Sequence, residues 1–261
     1  MKKSVIRAAV FGVIGVAAST TALAATETTW RLDSSAAGCS GSGASRTCGP
    51  VTATAWSFTS TSSGATLGSA SIQPYDGGVG VTASSEGGSG SPNHSMDNYV
   101  RIDAVLLSFT DAVTLSKITT GWTGPNSGET PSQPRDSDFS LLAYSFGGIP
   151  GVSGKTAAGL LNNTTGGWEL VGHYDGTGSA SGETKSVNAG AETSKYWLVT
   201  AYDHNFGGSA NGADKGTGQY DFLKLYSVSF TNGHKAPEPG SLALVGLALA
   251  GLWSSKRRGS R

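Results

Sequence analysis

The sequence predicts an all-β fold, a single antiparallel β-sandwich of jelly-roll type, with a signal peptide before it and a short apolar helix after it. Roughly ten short runs of β-branched, aromatic and aliphatic residues are separated by turn residues. No amphipathic stretch is long enough for a helix of about ten residues. Glycine accounts for 39 of the 261 residues, about twice its usual ~7%. Together these observations favour strands, turns and long surface loops.

The N-terminal residues 1–24 have the three parts of a secretory signal peptide. Basic residues come first, an apolar centre covers residues 8–18, and Ala22-Leu23-Ala24 forms a small-x-small cleavage site. We expect cleavage after Ala24. Residues 25–235 then form the sandwich ectodomain and residues 236–261 a separate C-terminal segment. Chains of that size commonly form one β-sandwich.

Charge is distributed unevenly between the two ends and the predicted ectodomain. The whole chain has 18 basic and 18 acidic residues. Seven of the basic residues and one of the acidic residues fall in the two end segments, so the ectodomain keeps 11 basic and 17 acidic residues, a net charge near −6. A basic surface for nucleic acid is missing, so we expect no nucleic-acid partner.

The strands are bounded by turn residues along the whole ectodomain. Residues 84–96, rich in Gly, Ser and Pro, and the proline-containing residues 124–136 are predicted loops. A single helical turn is predicted at residues 157–162, and the strand pattern is weakest at residues 186–189. The other predicted strands are residues 28–32, 51–58, 65–73, 79–83, 138–146, 168–174, 196–202 and 222–230.

Residues 99–109 form the strongest predicted strand. Apolar residues occupy both of its alternating faces, and such a strand is central and covered on both sides. A short turn at Asp111-Ala112 is expected to lead into the next strand, residues 113–122. There the apolar alternation shifts by one residue, which predicts a β-bulge near Ser116-Lys117.

The two cysteines of the chain, Cys39 and Cys48, lie in one Gly/Ser-rich stretch. An exported protein enters an oxidising compartment, so we expect a disulfide between them. On a chain-entropy model this bond would stabilise the fold by roughly 2–3 kcal/mol. A metal-binding or redox pair is the alternative, although no histidine lies nearby and the spacing is not Cys-x-x-Cys.

The C-terminal segment combines three elements. Pro237-Glu238-Pro239 forms a stiff extended stretch that no helix can cross. An uncharged run, residues 241–253, follows, and a basic end that contains Arg257 and Arg258 comes last. A helix of about 14 residues would span roughly 21 Å, against about 30 Å of membrane hydrocarbon. The run therefore predicts a membrane helix that is short for a lasting anchor.

This order of elements resembles the PEP-CTERM sorting signal of Gram-negative bacteria. The resemblance implies that an exosortase cuts the chain near Pro237-Glu238-Pro239 after a transient stay in the inner membrane. It also implies a product at the cell surface or in the extracellular matrix, associated with the envelope or with exopolysaccharide. Residues 92–98, 103–109, 121–122 and 136–144 are similar to recurring stretches of exosortase-dependent surface proteins, and they bring no catalytic residues. A lasting tail anchor is the alternative.

The densest polar cluster in the sequence consists of His94, Asp97, Asn98 and Asp103. Calcium takes six to eight oxygen ligands, so Asp97, Asn98 and Asp103 are candidate calcium ligands. Asp and Asn are equally common in turns, because their side chains bond their own backbone. A structural turn is therefore the alternative to calcium, and we expect no other cofactor.

Two further groups invite a catalytic interpretation. Asp136 and Asp138 are a carboxylate pair that could serve glycoside hydrolysis, but that needs a set separation across a cleft, and we expect solvated residues at the entry of a strand. Asp203-His204-Asn205 suggests a triad or a metal site, but the chain has four histidines in all and no Gly-x-Ser-x-Gly motif. We therefore predict that the protein is not an enzyme.

Aromatic residues on one face of a sandwich could stack on sugar rings, although aromatic residues in strands usually belong to the core. The alternative function is thus a carbohydrate- or calcium-binding adhesion module. The candidates for sugar stacking are Trp122, Trp168, Tyr174, Tyr196, Trp197 and Tyr202.

Overall fold

The computed structural model describes residues 26–83, 94–127, 132–210 and 220–232, all within one compact unit of residues 25–233. The predicted signal peptide and C-terminal segment lie outside the described residues. In these ranges no helix is long and apolar enough to cross a membrane. The predicted processing residues that fall outside the description are Ala22, Ala24, Pro237, Glu238, Pro239, Arg257 and Arg258.

Antiparallel strands make up most of the described residues. The helical elements there are α1, Ala157–Leu160, which confirms the predicted helical turn, and a 3-10 turn at His204–Phe206. The strands are β1 Thr28–Arg31, β2 Cys39–Ser40, β3 Ser45–Cys48, β4 Val51–Phe58, β5 Leu67–Tyr75, β6 Gly78–Ala83, β7 Met96–Asp97, β8 Asp103–Thr123, β9 Phe139–Tyr144, β10 Trp168–Tyr174, β11 Glu183–Ser186, β12 Ser194–Ala201 and β13 Phe222–Asn232.

β8 is the central strand and runs through 21 residues without interruption. Residues 103–109 pair with β4 and β12, whereas residues 113–123 pair mainly with β11 and β13, and Val113 also pairs with Ser194 of β12. The predicted turn at Asp111-Ala112 is wrong, because the backbone stays extended there while the strand passes between two layers, exposing both residues. The predicted β-bulge is confirmed at Ser116, since Lys117 pairs with Ser229 and Leu115 with Phe230.

The two layers share β8 and together form the predicted antiparallel β-sandwich. In the first layer the order is β10-β9-β12-β8-β4. In the second layer β8 lies between β11 and β13, and β13 continues into β6 and β5. β1 and β7 pair with β13 on the side away from β8.

Two hydrophobic clusters cover the two faces of the first layer. Val105 and Leu107 of β8 belong to the cluster between the layers. Ala104 and Leu106 belong to the outer cluster, together with Phe206 of the 3-10 turn and residues of α1. The prediction of a strand that is apolar on both faces and covered on both sides is therefore confirmed.

The disulfide between Cys39 and Cys48 is confirmed, with the sulfur atoms 2.04 Å apart. It joins β2 to β3, where the two cysteines are direct cross-strand partners. Next to it, the guanidinium of buried Arg46 donates hydrogen bonds to the backbone carbonyls of Leu32 and Asp33 at 2.8 and 2.6 Å. These bonds hold the loop between β1 and β2 against the sandwich.

Candidate functional site at the acidic end

Carboxylates gather at the end of the sandwich where three strands begin. Asp103 is the first residue of β8, and Asp138 and Asp221 directly precede β9 and β13. β12 runs antiparallel to β8 and β9, so its last residues lie beside the first residues of these strands. We call this region the acidic end, and it comprises Asp97, Asn98, Asp103, Asp136, Asp138 and Asp221.

Three of these carboxylates form a compact cluster. One oxygen each of Asp136, Asp138 and Asp221 lie within 4.8 Å of one another, and no other His, Cys, Asp or Glu trio in the described ranges meets that spacing. Asp138 and Asp221 are 1% and 0% exposed. Buried carboxylates at this spacing repel one another unless a proton or a cation lies between them. Such an oxygen set suits a hard cation such as calcium.

Backbone N–H groups and one amide orient the cluster. The Asp221 carboxylate accepts hydrogen bonds from Asn98 Nδ2 at 2.6 Å and from the Asp138 N–H at 2.8 Å. The Asp138 carboxylate accepts one from the Gly176 N–H at 2.6 Å. Asn98 also donates to the Tyr202 carbonyl at 3.0 Å and accepts from the Asp221 N–H at 2.8 Å. Asn98 therefore connects the chain before β8 with the residues that end β12 and precede β13.

The predicted calcium ligands are divided between this cluster and its surroundings. Asn98 contacts Asp221 directly. The Asp97 carboxylate accepts from the Tyr99 N–H at 3.1 Å, the local bond expected for a turn residue, while the Asp97 N–H donates to the Asp103 carboxylate at 3.4 Å. His94 packs on the ring of Tyr75, with 4.6 Å between centroids. A calcium role for Asp97, Asn98 and Asp103 stays a prediction.

The expectation that Asp136 and Asp138 are solvated residues at a strand entry is wrong for Asp138. Asp138 is 1% exposed, and the Gly176 N–H, just after β10, donates to its carboxylate. Asp136 is half-buried, and one of its oxygens accepts from the Ser137 N–H at 2.9 Å. The pair is thus part of a polar cluster with one buried and one half-buried carboxylate.

A buried histidine lies beside the acidic end, in a second polar network. The Nε2 atom of His173 is 2.7 Å from the Gly207 carbonyl, which can only accept, so Nε2 carries the proton and donates. In the neutral ring Nδ1 then accepts from the Ser140 hydroxyl at 2.8 Å. Ser140 accepts in turn from the Asp203 N–H at 3.1 Å. The side chains of Ser140 and His173 are 0% and 2% exposed, so this Ser–His pair is closed to a substrate.

Asp203-His204-Asn205 forms the start of the 3-10 turn. The Asp203 carboxylate accepts from the Asn205 N–H and from Asn205 Nδ2, both at 2.8 Å, while His204 is exposed. Burial raises the pKa of the Asp203 carboxyl, and the hydrogen bonds from Asn205 oppose that rise only in part. Asp203 therefore caps the turn at an electrostatic cost.

The aromatic residues predicted to stack on sugars have mostly internal partners. Trp168 and Trp197 are 2% and 0% exposed and belong to the core. Tyr174 is half-buried and stacks on Phe139, with 5.1 Å between centroids. The remaining tryptophan of the predicted set, Trp122, lies 4.4 Å from the ammonium of Lys224. Trp168 and Trp197 are thus removed from the candidates for sugar binding.

Sequence reasoning missed Asp221, which the structure places at the centre of the acidic end. A signal for it exists in the sequence: Asp138-Phe139 and Asp221-Phe222 are the same dipeptide at the start of two strands, and Asp103 opens a third. Aspartates at strand entries meet when the strand ends meet. His173 and Ser140 were likewise missed, because neither stands beside another polar residue type in a motif.

Comparison with known proteins gives a family match at the C-terminus and weak likenesses to solved structures. Two solved structures are similar to the chain, each at 12% identity. The first is the C-terminal domain of a chitobiase from Bacteroides fragilis, with a TM-score of 0.27 over 49% of this chain and 62% of that one. The second is a family 32 carbohydrate-binding module from Streptococcus pneumoniae EndoD, with a TM-score of 0.28 over 55% of this chain and 80% of that one. Likeness at this level says nothing about a ligand. A search of the curated proteins found no match. Residues 235–258 match the family model described as the PEP-CTERM protein-sorting motif, so the chain carries the sorting motif of an exosortase-dependent protein, as the sequence predicts.

Proposed function

We propose that this chain is a non-catalytic protein of the cell surface or extracellular matrix of a Gram-negative bacterium, released from the inner membrane by an exosortase. The observation that carries the proposal is the sorting motif at residues 235–258. The basic, apolar and small-residue parts of residues 1–24 support export at the other end of the chain. Association with the envelope or with exopolysaccharide is the part that depends on the ectodomain.

The ectodomain supports a binding or structural role better than catalysis. The contact between Ser140 and His173 is buried, and the carboxylate cluster is tied to backbone N–H groups where β9 and β13 begin. Its acidic charge and hydroxyl-rich surface suit a hydrated matrix. The buried polar groups and the acidic, hydroxyl-rich surface fit a protein that is held in the matrix through contacts of its surface.

The test is the fate of the full chain in its native host. In a variant with Pro237, Glu238 and Pro239 replaced by alanine, we expect the precursor to accumulate in the membrane fraction without C-terminal trimming. Intact mass spectrometry of the envelope protein measures both cleavage sites. Pro134→Ala, at an exposed proline of the ectodomain, is the matched control and should be processed normally. An unchanged mature mass and location in the triple variant would refute the proposal.

A second candidate function is a calcium-dependent adhesion module, and the cluster of Asp136, Asp138 and Asp221 is the observation that favours it. With calcium in about 100-fold excess over its Kd, we expect the melting midpoint of the ectodomain to rise by about 5 °C or more. EGTA should reverse the rise, and Asp138→Asn should abolish it. Asp111→Asn, at an exposed acid far from the cluster, should preserve it. Identical midpoints in calcium and EGTA would remove this candidate.

A further inference from the structure

The first and last strands of the ectodomain are neighbours. β1 pairs with β13 in antiparallel register, with Thr28 opposite Phe230 and Arg31 opposite Ser227. The residue before β1, Glu27, is held at the same place by Lys117 Nζ at 2.6 Å and by the Ser116 hydroxyl at 2.5 Å. The chain therefore enters the sandwich beside the point where it leaves, at Asn232.

This end of the sandwich carries a small hollow built from both of those strands. Its volume is about 260 Å³, and its residues come from β1, β13, the part of β8 that crosses between the layers, and Pro50 just before β4. Buried Phe109 and Phe230 pack edge to face at its base, with 4.9 Å between centroids. We call this region the junction end; its outer residues are Thr28, Trp30, Thr110, Asp111 and Asn232.

The sorting motif begins close to this end along the chain. Pro237 is five residues beyond Asn232, which allows a reach of at most about 17 Å. The acidic end lies at the other end of β13, 11 residues away, or about 30 Å. A folded protein domain is roughly 30 Å across. An enzyme that holds residues 237–239 in its active site therefore works within about 17 Å of Asn232, a distance smaller than its own diameter.

We propose that the junction end is the surface on which the processing exosortase docks. This inference depends on the proposed function and adds where on the folded ectodomain the enzyme makes contact. Thr110, Asp111 and Ala112 are exposed on an extended backbone, and the hollow beside them offers a partly buried tryptophan and the side chain of Asn232. The partner surface that fits is one with a basic or hydrogen-bond-donating group for Asp111 and an apolar group for Trp30.

The experiment follows processing of the full chain by pulse-chase in a host that contains the exosortase. Thr110→Arg with Asp111→Arg alters exposed positions only, and we expect conversion of the precursor to slow by about fivefold or more, because charge at an interface rim changes the association rate. Val100→Arg, at a residue 59% exposed near the acidic end, is the matched control and should convert at the wild-type rate. Wild-type conversion of the double variant would overturn the inference.

A second arm separates contact from misfolding. Twenty Gly and Ser residues inserted after Asn232 add a reach of about 25 Å, so the enzyme can bind the motif without touching the junction end. With this insertion, the double variant should be processed as fast as the unsubstituted chain with the same insertion. A defect that persists in the long-linker chain would contradict docking, since it would come from the ectodomain itself.

The same assay distinguishes failure of this inference from failure of the proposed function. The triple alanine variant at residues 237–239 should block conversion in every background. If it does so while Thr110→Arg with Asp111→Arg has no effect, docking alone is refuted. If the triple alanine variant is still converted, the motif is not the processing site and the proposed function fails.

Discussion

The acidic end and the junction end are the two ends of the same strands, yet they are stabilised in different ways. At the acidic end, buried carboxylates accept hydrogen bonds from Asn98 and from backbone N–H groups. At the junction end, Phe109 and Phe230 pack together under the ladder that joins β1 to β13. Burying carboxylates costs free energy unless they are bonded or neutralised, whereas burying aromatic rings contributes with their area.

The difference teaches which conditions each end should respond to. The acidic end should respond to pH and to cations, because its charge balance decides its free energy. The junction end should respond to side-chain volume and to loss of a terminal strand. β8 connects the two, since Asp103 and Thr123 lie towards the acidic end and residues 110–112 at the junction end.

The largest expected effect tests the junction end. Phe230→Ala removes a ring that is 3% exposed and should lower the free energy of unfolding by about 3–5 kcal/mol, through lost burial and the cavity left against Phe109. Urea denaturation measures the change. We expect it to be the same in calcium and in EGTA. Thr231→Ala, at the next and partly exposed residue, should change stability by about 0.5 kcal/mol or less. A loss below about 1 kcal/mol for Phe230→Ala would show that the rings contribute little.

A smaller effect is expected for Asn98→Asp at the acidic end. The change removes the amide donor to Asp221 and Tyr202 and puts another carboxylate beside Asp221, which should cost about 2–3 kcal/mol. Because the new group is neutral only at low pH, the loss should be greater at pH 7 than at pH 4. Denaturation at the two pH values measures it. The control is Asn126→Asp, which places the new charge beside Arg135 Nη2; if it destabilises equally, proximity to Asp221 is not the cause.

The sequence predicts the central strand β8 better than it predicts the acidic end. Apolar residues on both faces of residues 99–109 predict a strand covered on both sides, and the shift of alternation locates the bulge at Ser116. Asp111-Ala112 was misread because polar, small residues are typical of turns. They are equally suited to an exposed stretch of strand between two layers, and alternation alone does not distinguish the two.

The acidic end could be predicted only in part, because it depends on pairings between distant residues. Asp97, Asn98 and Asp103 are close in sequence and stand out as a cluster. Asp221 is more than 100 residues further on, and only the pairing of β7 and β8 with β13 brings it to Asn98. The hydrogen bond to the Asp138 carboxylate comes likewise from a distant residue, Gly176, which follows β10. Such contacts follow from the order of strands in the sheets, which local pattern does not specify.

The smallest expected effect concerns Asp203, the buried carboxyl beside the acidic end. Burial raises its pKa above 3.8 in the folded protein, so folding favours its protonated form. Its protonation therefore contributes fully to the free energy of unfolding below pH 3.8. This contribution is lost as the pH rises through the folded-state pKa, and above that pKa Asp203 causes no further change in stability. Asp203→Asn keeps an oxygen that accepts from Asn205, and it does not ionise. The free energy of unfolding at pH 3 minus that at pH 7 should therefore be less positive in this variant than in the wild type. Asn205→Ala removes the Nδ2 donor to the Asp203 carboxylate and keeps the backbone N–H donor, so it should enlarge the loss of stability as the pH rises. If Asp203→Asn and the wild type have parallel pH profiles, this carboxyl does not titrate with folding, and any pH response of this region comes from the aspartates of the acidic end.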